Sequence, residues 1–407
     1  MERLNRAYTY WWLYRTTALG RVFILALGLT TMAGMASIEM PIFRLWCGLA
    51  AVLGVAFVVG WLYRPKLAVT MAMPESAVAG QALRVDLQVT NGGRWPGWDL
   101  SAGFFEPDSA ILGLLGETLT PVAAGETKRL VAGVTPLRRG IYGPLKLRVF
   151  TTFPFHLFRH PRMKPLHRTL LVVPSFHPLA GLELPVGARY QPGGIALTSN
   201  IGESPEYIGN REYRPGDPLR RIDFRAWARL AKPAVREYQE EYYCRVALIL
   251  DTFISPAVKA GPQGYAGLEA AVSLCASTAD VLARGEYILD LFAAGPELYV
   301  FRAGRHTAHF ENVLEILACV DVCRTEPFEA ITPAVVDELG NISAVVGVFL
   351  DWDAPRQQLM QAARDNGCAV KALVVRDGPP SVSFATGEFP ITLLTPEQIT
   401  AGGVDFL

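Results

Sequence analysis

Histidine and cysteine are scarce, six of each in 407 residues, and neither type gathers into a pattern that carries chemistry. Cys47, Cys244, Cys275, Cys319, Cys323 and Cys368 show no CxxC or zinc-ribbon spacing. Cys319 and Cys323 stand one helical turn apart but lack further ligands nearby, and scatter through apolar runs is the habit of reduced, packed thiols. His306 and His309 likewise have no cysteine or carboxylate pattern to complete a ligand set. GxSxG, HExxH and the phosphate loop GxxxxGK[ST] are absent, so nucleophile-elbow, zincin and P-loop chemistry have no carrier, and no small-molecule substrate is evident. Net charge is also missing: 38 basic side chains balance 38 acidic ones, which argues against a whole-molecule electrostatic grip on nucleic acid and leaves local basic patches open. With 19% charged and 51% hydrophobic residues, the chain is globular with a membrane part, not disordered. Its length suits about two to three domains.

What is present begins with two long apolar runs. Residues 22–38 and 45–63 hold no charged side chain, and at 1.5 Å per residue they extend roughly 25 to 29 Å against a hydrocarbon core of about 30 Å. The connection between them is short, which predicts a transmembrane hairpin over 22–63. Arg3, Arg6, Arg15 and Arg21 precede it, Arg64 and Lys66 come after it, and Arg44 with Glu39 lies between the runs. That asymmetry predicts a multi-pass protein of the inner (cytoplasmic) membrane, with the N-terminal segment 1–21 and the soluble part facing the cytoplasm. Tyr8, Tyr10, Trp11, Trp12 and Tyr14 on one side, with Trp61 and Tyr63 on the other, have the composition of interfacial aromatic belts. A cleaved signal peptide is the competing reading, against which stand the length of the first run and the second run that comes at once after it.

Past Pro65 the pattern changes to alternation with period two, in 83–91, 127–136 and 145–150, punctuated by Gly, Pro and Asn. Such strands over residues 66–165 predict an immunoglobulin-like β-sandwich that spaces or presents the C-terminal part of the chain. Gly80 and Asn91-Gly92 mark turns, and Arg139-Gly140 is expected to open a hairpin or an edge strand.

Residues 166–243 read as a linker with a charged signature. The stretch 211–241 packs eight basic and six acidic side chains together with Tyr213, Phe224, Trp227 and Tyr238. Asp217-Pro218 has the form of a helix start, and a helix running to about Leu230 would align Arg221, Arg225 and Arg229 on one face, with Lys232-Pro233 ending it. Three readings stand open: an internal arginine–carboxylate bracket, a docking surface for a protein, or a phosphate site, which the interleaved carboxylates oppose.

From residue 244 onward strands alternate with helices. Strands are expected at 244–251, 287–294, 298–304, 343–352 and 368–377, and helices at 267–285, 309–320 and 354–366. Continuous rather than alternating apolar runs imply strands buried on both faces, hence an α/β domain over 244–407 with a mostly parallel sheet.

The signature, the TTFPFHLF stretch at 151–158 and the α/β segment together resemble the domain of unknown function 58 family over nearly the whole chain. Arg211, Glu212, Tyr213, Pro215, Gly216, Asp217, Arg221, Ile222, Asp223, Ala228 and Arg229 match its signature, whereas Phe224 stands for the usual Trp, and Thr152 and His156 depart from its turn. The resemblance implies a membrane-anchored protein with a von Willebrand factor A-like C-terminal domain and a MoxR-type AAA+ ATPase as partner. Metal-binding von Willebrand factor A domains use D-x-S-x-S after the first strand and a later Asp. Here Asp251 and Ser255 match, Phe253 replaces one ligand, and Asp351 falls at the later carboxylate. That leaves a degenerate magnesium site, set against carboxylates that merely cap and hold loops. The expectation is a non-enzymatic, membrane-anchored adaptor that binds protein partners. The alternative is a divalent-metal-dependent hydrolase or nuclease using Asp251 and Asp351.

Overall fold

The computed structural model describes residues 8–36, 40–104, 112–116, 118–163, 166–184, 207–238, 245–261, 264–285, 287–294, 298–302, 310–382 and 390–407. Cys244 and the histidines at 306 and 309 lie outside them, as does the junction 37–39 of the two apolar runs. The chain divides into two compact units, one of Met1–Phe176, Val258–Ser273 and Leu314–Val320, the other of His177–Ala257, Leu274–Val313 and Asp321–Leu407.

The first unit opens with a single π-helical turn, Tyr10–Arg15, followed by α1 (Ala18–Ala36) and α2 (Met40–Leu62). Within α2, Pro41–Leu62 is long and apolar enough to cross a membrane and is largely exposed, whereas the apolar part of α1, Ala18–Gly34, falls short of that length. The indole Nε1 of Trp46 donates to Thr31 Oγ1 at 2.8 Å, linking the two helices.

Among the described residues nine strands come next: β1 (Leu67–Ala72), β2 (Ser76–Val78), β3 (Leu83–Asn91), β4 (Leu100–Phe104), β5 (Leu112–Gly116), β6 (Thr127–Pro136), β7 (Gly140–Thr151), β8 (His160–Pro161) and β9 (Leu166–Val173). They form one sheet in the order β1-β3-β6-β5 and a second in the order β2-β9-β7-β4, with β8 paired to β7. The alternation in sequence is the cause. Val85, Leu87 and Val89 of β3 and Leu130, Ala132 and Val134 of β6 point to the same face, where they meet Leu147 and Val149 of β7 and Leu170 and Val172 of β9 in one buried core. Of the two expectations at Arg139-Gly140 the hairpin holds: β7 opens there and pairs antiparallel with β8 and β9, and since it lies between β9 and β4 it is not an edge strand. Arg139 itself is almost wholly buried, its guanidinium bonded to Glu269 and to the carbonyls of Leu317 and Val320.

The apolar helices are tied to the sandwich at the turn 151–161. Thr17 N–H donates to Leu157 O at 3.1 Å, Thr17 Oγ1 to His156 O at 2.6 Å, and Arg159 N–H to Arg15 O at 2.8 Å. Leu157 and Phe158 pack with Leu53 and Ala56 of α2 and, on α1, Phe23, Ile24 and Leu27. Two glycines permit this approach. A Cβ on Gly20 would collide with the Leu157 carbonyl, and one on Gly60 would strike the His160 ring and come within 2.9 Å of Phe153 O. Burial holds the His160 imidazole neutral, down to about 4, with Arg15 and Arg64 adding repulsion.

The second unit carries a two-stranded ribbon, β10 (Tyr207–Glu212) with β11 (Ala234–Tyr238), and a six-stranded sheet. In the larger sheet, β12 (Arg245–Leu250), β13 (Ile288–Ala294), β15 (Ala344–Phe349), β16 (Ala369–Val375) and β17 (Ile391–Leu394) run parallel, and β14 (Leu298–Arg302) pairs antiparallel at one edge, giving the order β14-β13-β12-β15-β16-β17. The remaining helices are α3 (Phe224–Leu230), α4 (Ala266–Arg284), α5 (Phe310–Cys319), α6 (Phe328–Val336), α7 (Ala354–Asp365) and α8 (Pro396–Thr400), of which α4 up to Ser273 and α5 from Leu314 belong to the first unit. α4 is apolar and long enough to pass as a membrane span, but about two thirds of it is buried, which marks it as a core helix. Ile331 and Val335 of α6 and Leu359 and Met360 of α7 close over Ile249, Val345, Val370 and Phe349 of the sheet.

The close approach at Gly20 is testable. Gly20→Ala in the full-length protein in detergent is expected to destabilise the fold by about 1–3 kcal/mol, the usual range for overpacking, and so to lower the thermal midpoint. Gly28→Ala, which meets nothing within 4 Å, should leave the midpoint unchanged or raise it. Differential scanning fluorimetry of both variants reads the opposite signs.

Candidate functional site

Two places collect the polar side chains that the sequence singles out. The first is the signature segment. Arg211 at the end of β10 grips Asp217 with both guanidinium ends, Nη1 to Oδ2 at 2.8 Å and Nη2 to Oδ1 at 2.7 Å, and Arg214 N–H adds 2.7 Å to Oδ2. Gly216 sits at φ 107°, a backbone conformation that side-chain-bearing residues avoid, and so lets the turn close on Asp217. Tyr213 is held by its N–H to Pro233 O at 2.9 Å, and exposed Glu212 lies 3.6 Å from Lys232.

The helix does not start where the sequence suggests. Leu219–Arg221 is one 3-10 turn, the backbone extends at Ile222, and Asp223 is the residue that caps α3, its Oδ1 accepting from Arg225 N–H at 2.9 Å and Ala226 N–H at 3.0 Å. Asp217 is spent on Arg211 and caps nothing, and half-buried Arg221 therefore leaves the expected face. Arg225 and Arg229 remain on α3 and are exposed. Asp223 Oδ2 also accepts from Asn210 and from Arg236 of β11, each at 3.3 Å, so one carboxylate joins both strands of the ribbon to the helix. α3 ends at Leu230 because Ala231 turns left-handed, φ 54°. These contacts hold two carboxyls far below their ordinary value: the Arg211 fork and Arg214 N–H bring Asp217 to about 2, and Ala226 N–H with Arg236 and Asn210 brings Asp223 to about 2.

The second place is the carboxyl edge of the parallel sheet. Asp251, directly after β12, is fully buried. Its Oδ1 accepts from Phe253 N–H at 3.0 Å, and its Oδ2 from Leu350 N–H at 2.9 Å and from Arg356 Nε and Nη2 at 2.9 and 2.8 Å. Arg356 projects from the first turn of α7, is itself buried, lies over the Phe328 ring at 4.7 Å, and also engages Asp353, the residue that caps α7. Glu326 Oε1 stands 3.8 Å from Arg356 Nη1. Burial raises the Asp251 carboxyl, against which Arg356 and the two amides act. Burial also lowers the Arg356 guanidinium, but Asp251 and Asp353 outweigh it and leave it above its ordinary value.

The degenerate metal set is thus divided. Ser255 is exposed and its Oγ accepts from Ala257 N–H at 3.4 Å. Asp351 is bonded to Arg376, Ser381 and Trp352 N–H, a set that outweighs its partial burial and keeps it below the ordinary carboxyl value. Among the described residues, no three His, Cys, Asp or Glu side chains are grouped to hold a metal ion. The donor chemistry at Asp251 suits a cation, and a guanidinium fills that role. Arg356 carried no signal in the sequence beyond Asp353, three residues before it at a helix start. Arg236 and Asn210 were equally silent.

Residues 209–375 match a family model described as "Protein of unknown function DUF58". No curated protein matches the chain. Among solved structures, a Deinococcus radiodurans RO (RSR) protein is similar at 18% identity and TM-score 0.25, covering 37% of this chain and 31% of its own. A FixG-related protein from Vibrio parahaemolyticus is similar at 10% identity and TM-score 0.19, covering 26% and 96%. The CARDB domain of PF1109 from Pyrococcus furiosus, in complex with di-metal ions, gives 14% identity and TM-score 0.19 over 27% and 90%. At such scores the three structures carry no argument about this chain.

Two outcomes are expected from the geometry. Arg356→Met is expected to cost about 3–5 kcal/mol in urea unfolding, because it strands a buried carboxylate; a loss below about 1 kcal/mol would show that Asp251 is satisfied without it. In acid, the depressed carboxyls Asp217 and Asp223 contribute stability that is whole above the ordinary value of 3.8 and drains away as pH falls through about 2. A 5-fluorotryptophan at position 227 should report that transition by fluorine NMR, and Asp223→Asn should flatten it.

Proposed function

Given that the chain belongs to the DUF58 family through residues 209–375, we propose that it is a non-enzymatic, membrane-anchored adaptor whose signature segment docks a protein partner. The observation that carries this reading is the surface of α3. Phe224 is 69% exposed and Trp227 38%, stacked on each other with centroids 6.1 Å apart, and Leu219 and Leu230 are exposed beside them. Apolar side chains of this size on a seven-residue helix fixed at both ends are costly to leave in water, and aromatic residues with arginine are what protein interfaces select. Segment 207–238 holds eight basic and four acidic residues. Asp217 and Asp223 are committed internally, so the face left to a partner is positive and suits an acidic surface.

In this reading the bracket and docking alternatives merge: arginine–carboxylate pairs hold the segment, and α3 is what they hold out. α1 and α2 form a transmembrane hairpin that ties the chain to the inner membrane with the soluble part in the cytoplasm, the sandwich is an immunoglobulin-like spacer, and the parallel sheet is a von Willebrand factor A-like domain. The family resemblance supplies a MoxR-type AAA+ ATPase as the partner. The competing hydrolase has less support, since Asp251 is engaged on both oxygens and Asp351 serves a separate set of bonds.

Capture from the native membrane tests the reading. Tagged full-length protein, solubilised in detergent, is expected to co-elute with an ATPase. Phe224→Ser with Trp227→Ser should abolish that capture while keeping a cooperative melt, since Phe224 is 69% exposed and Trp227 38%. Asp223→Ala should lower the melting temperature as well as the capture, since it removes the cap and the link to Arg236. Undiminished capture by the Phe224→Ser, Trp227→Ser protein would remove α3 as the docking element.

A further inference from the structure

A second group of exposed aromatic side chains belongs to the sandwich. α2 ends at Leu62, and Trp61 and Tyr63 there are the aromatic residues expected where a span leaves the hydrocarbon layer. The aromatic surface does not stop with the helix. The Tyr63 ring meets Trp95 at 5.9 Å and Phe153 at 6.4 Å, and Phe153 meets Trp98 at 6.2 Å. Trp95 is 63% exposed, and Trp98 and Phe155 are exposed as well.

The loop that carries the two tryptophans is cross-bonded to its surroundings. Buried Asn91 accepts from Gly93 N–H at 2.9 Å and donates to the carbonyls of Trp95 and Val122 at 2.8 and 3.1 Å. Gly92 N–H donates to Lys66 O at 2.9 Å, and Thr151 Oγ1 to Trp98 O at 2.6 Å. The loop is therefore fastened on one side to the chain leaving α2 and on the other to the turn 151–161. Rings held out on so fixed a frame are placed for a surface, not left over by a mobile loop. Arg94, Lys66 and Arg162 are exposed in the same stretch, and Arg64 lies over the Trp61 ring at 5.2 Å.

We propose that Trp95, Trp98 and Phe155 insert into the headgroup layer of the bilayer that α2 leaves, extending its aromatic girdle onto the β-sandwich, with Arg94 and Lys66 supplying charge for anionic lipid phosphates. This rests on the reading of α1 and α2 as membrane-embedded. Indole and phenyl rings gain at the depth where one end is apolar and the other wet, and basic side chains near an anionic surface add to that gain. The sandwich then has two fastenings to the lipid surface, the helices and this loop, which fixes its attitude to the membrane.

Brominated-lipid quenching of the full-length protein in nanodiscs tests this. The discs contain phosphatidylglycerol and phosphatidylethanolamine with bromine at shallow acyl positions, and the reading is the emission of the wild type minus that of Trp95→Phe, Trp98→Phe. The expected result is loss of this difference emission in brominated discs and a blue-shifted maximum in plain ones. Should the remaining emission, which includes Trp46 and Trp61, be quenched while the difference emission is not, the loop contact is overturned and the anchoring stands. If neither is quenched, the anchoring itself fails and the loop contact goes with it. A blue-shifted but unquenched difference emission that depends on the number of chains per disc would assign the loop to a second copy and overturn the lipid contact. Should the double variant lose its cooperative melt, Trp95→Phe and Trp98→Phe taken singly give the same readings.

Discussion

The parallel sheet is closed at its carboxyl edge by one buried ion pair, and the character of the second unit depends on it. Parallel strands aim loops and helix starts at that edge, which is where α/β folds ordinarily receive ligands. Here Asp251 meets two backbone amides and the guanidinium of Arg356, and Arg356 meets Asp353 in turn. A divalent cation binds reversibly to carboxylates that wait for it. A guanidinium carried on α7 is permanent, and it binds β12 to the helix that covers the sheet while it neutralises the charge. Because such a pair repays its desolvation only when its hydrogen bonds are complete, the edge is costly to open.

The signature segment shows the same economy of charge in an exposed place. Its carboxylates Asp217 and Asp223 are each bonded to backbone amides and to an arginine, so the segment is fixed by its acidic residues and presents its basic and aromatic ones. A short helix has little stability of its own. α3 persists because Asp223 caps it and also fastens it to both strands of the ribbon.

How much of this could be read in the chain depends on the range of the interaction. β3 and β6 appear at 83–91 and 127–136 because period-two burial is a local property, and β12, β15 and β16 appear as unbroken apolar runs because both of their faces are covered. The ribbon β10-β11 was hidden, since its strands are short, mix apolar with charged residues, and pair across a segment that itself holds a helix. Asp217-Pro218 imitated a helix start; the fork of Arg211, six residues before it, claims that carboxylate and leaves the cap to Asp223. Arg356 lies 105 residues from Asp251, too far for any spacing rule to join them. The general lesson is that apolar pattern announces elements, while the choice among several carboxylates is made by arginines that only the fold brings near.

The turn 151–161 turns this distinction to another use. It lies far in sequence from α1, yet Thr17 and Arg15 bond to its backbone, and Gly20 and Gly60 are the two points at which a side chain would force the helices away. Backbone bonds and glycines specify position without specifying chemistry. The same turn accepts the edge of the tryptophan loop through Thr151 and Thr152. One short segment thus receives the start of α1, the end of α2 and the loop 92–99, and whatever surface those three share is defined to within the play of a few hydrogen bonds. Within the first unit, then, the two apolar helices and the sandwich are joined by backbone hydrogen bonds and close helix approach at one turn, and not by a linker alone.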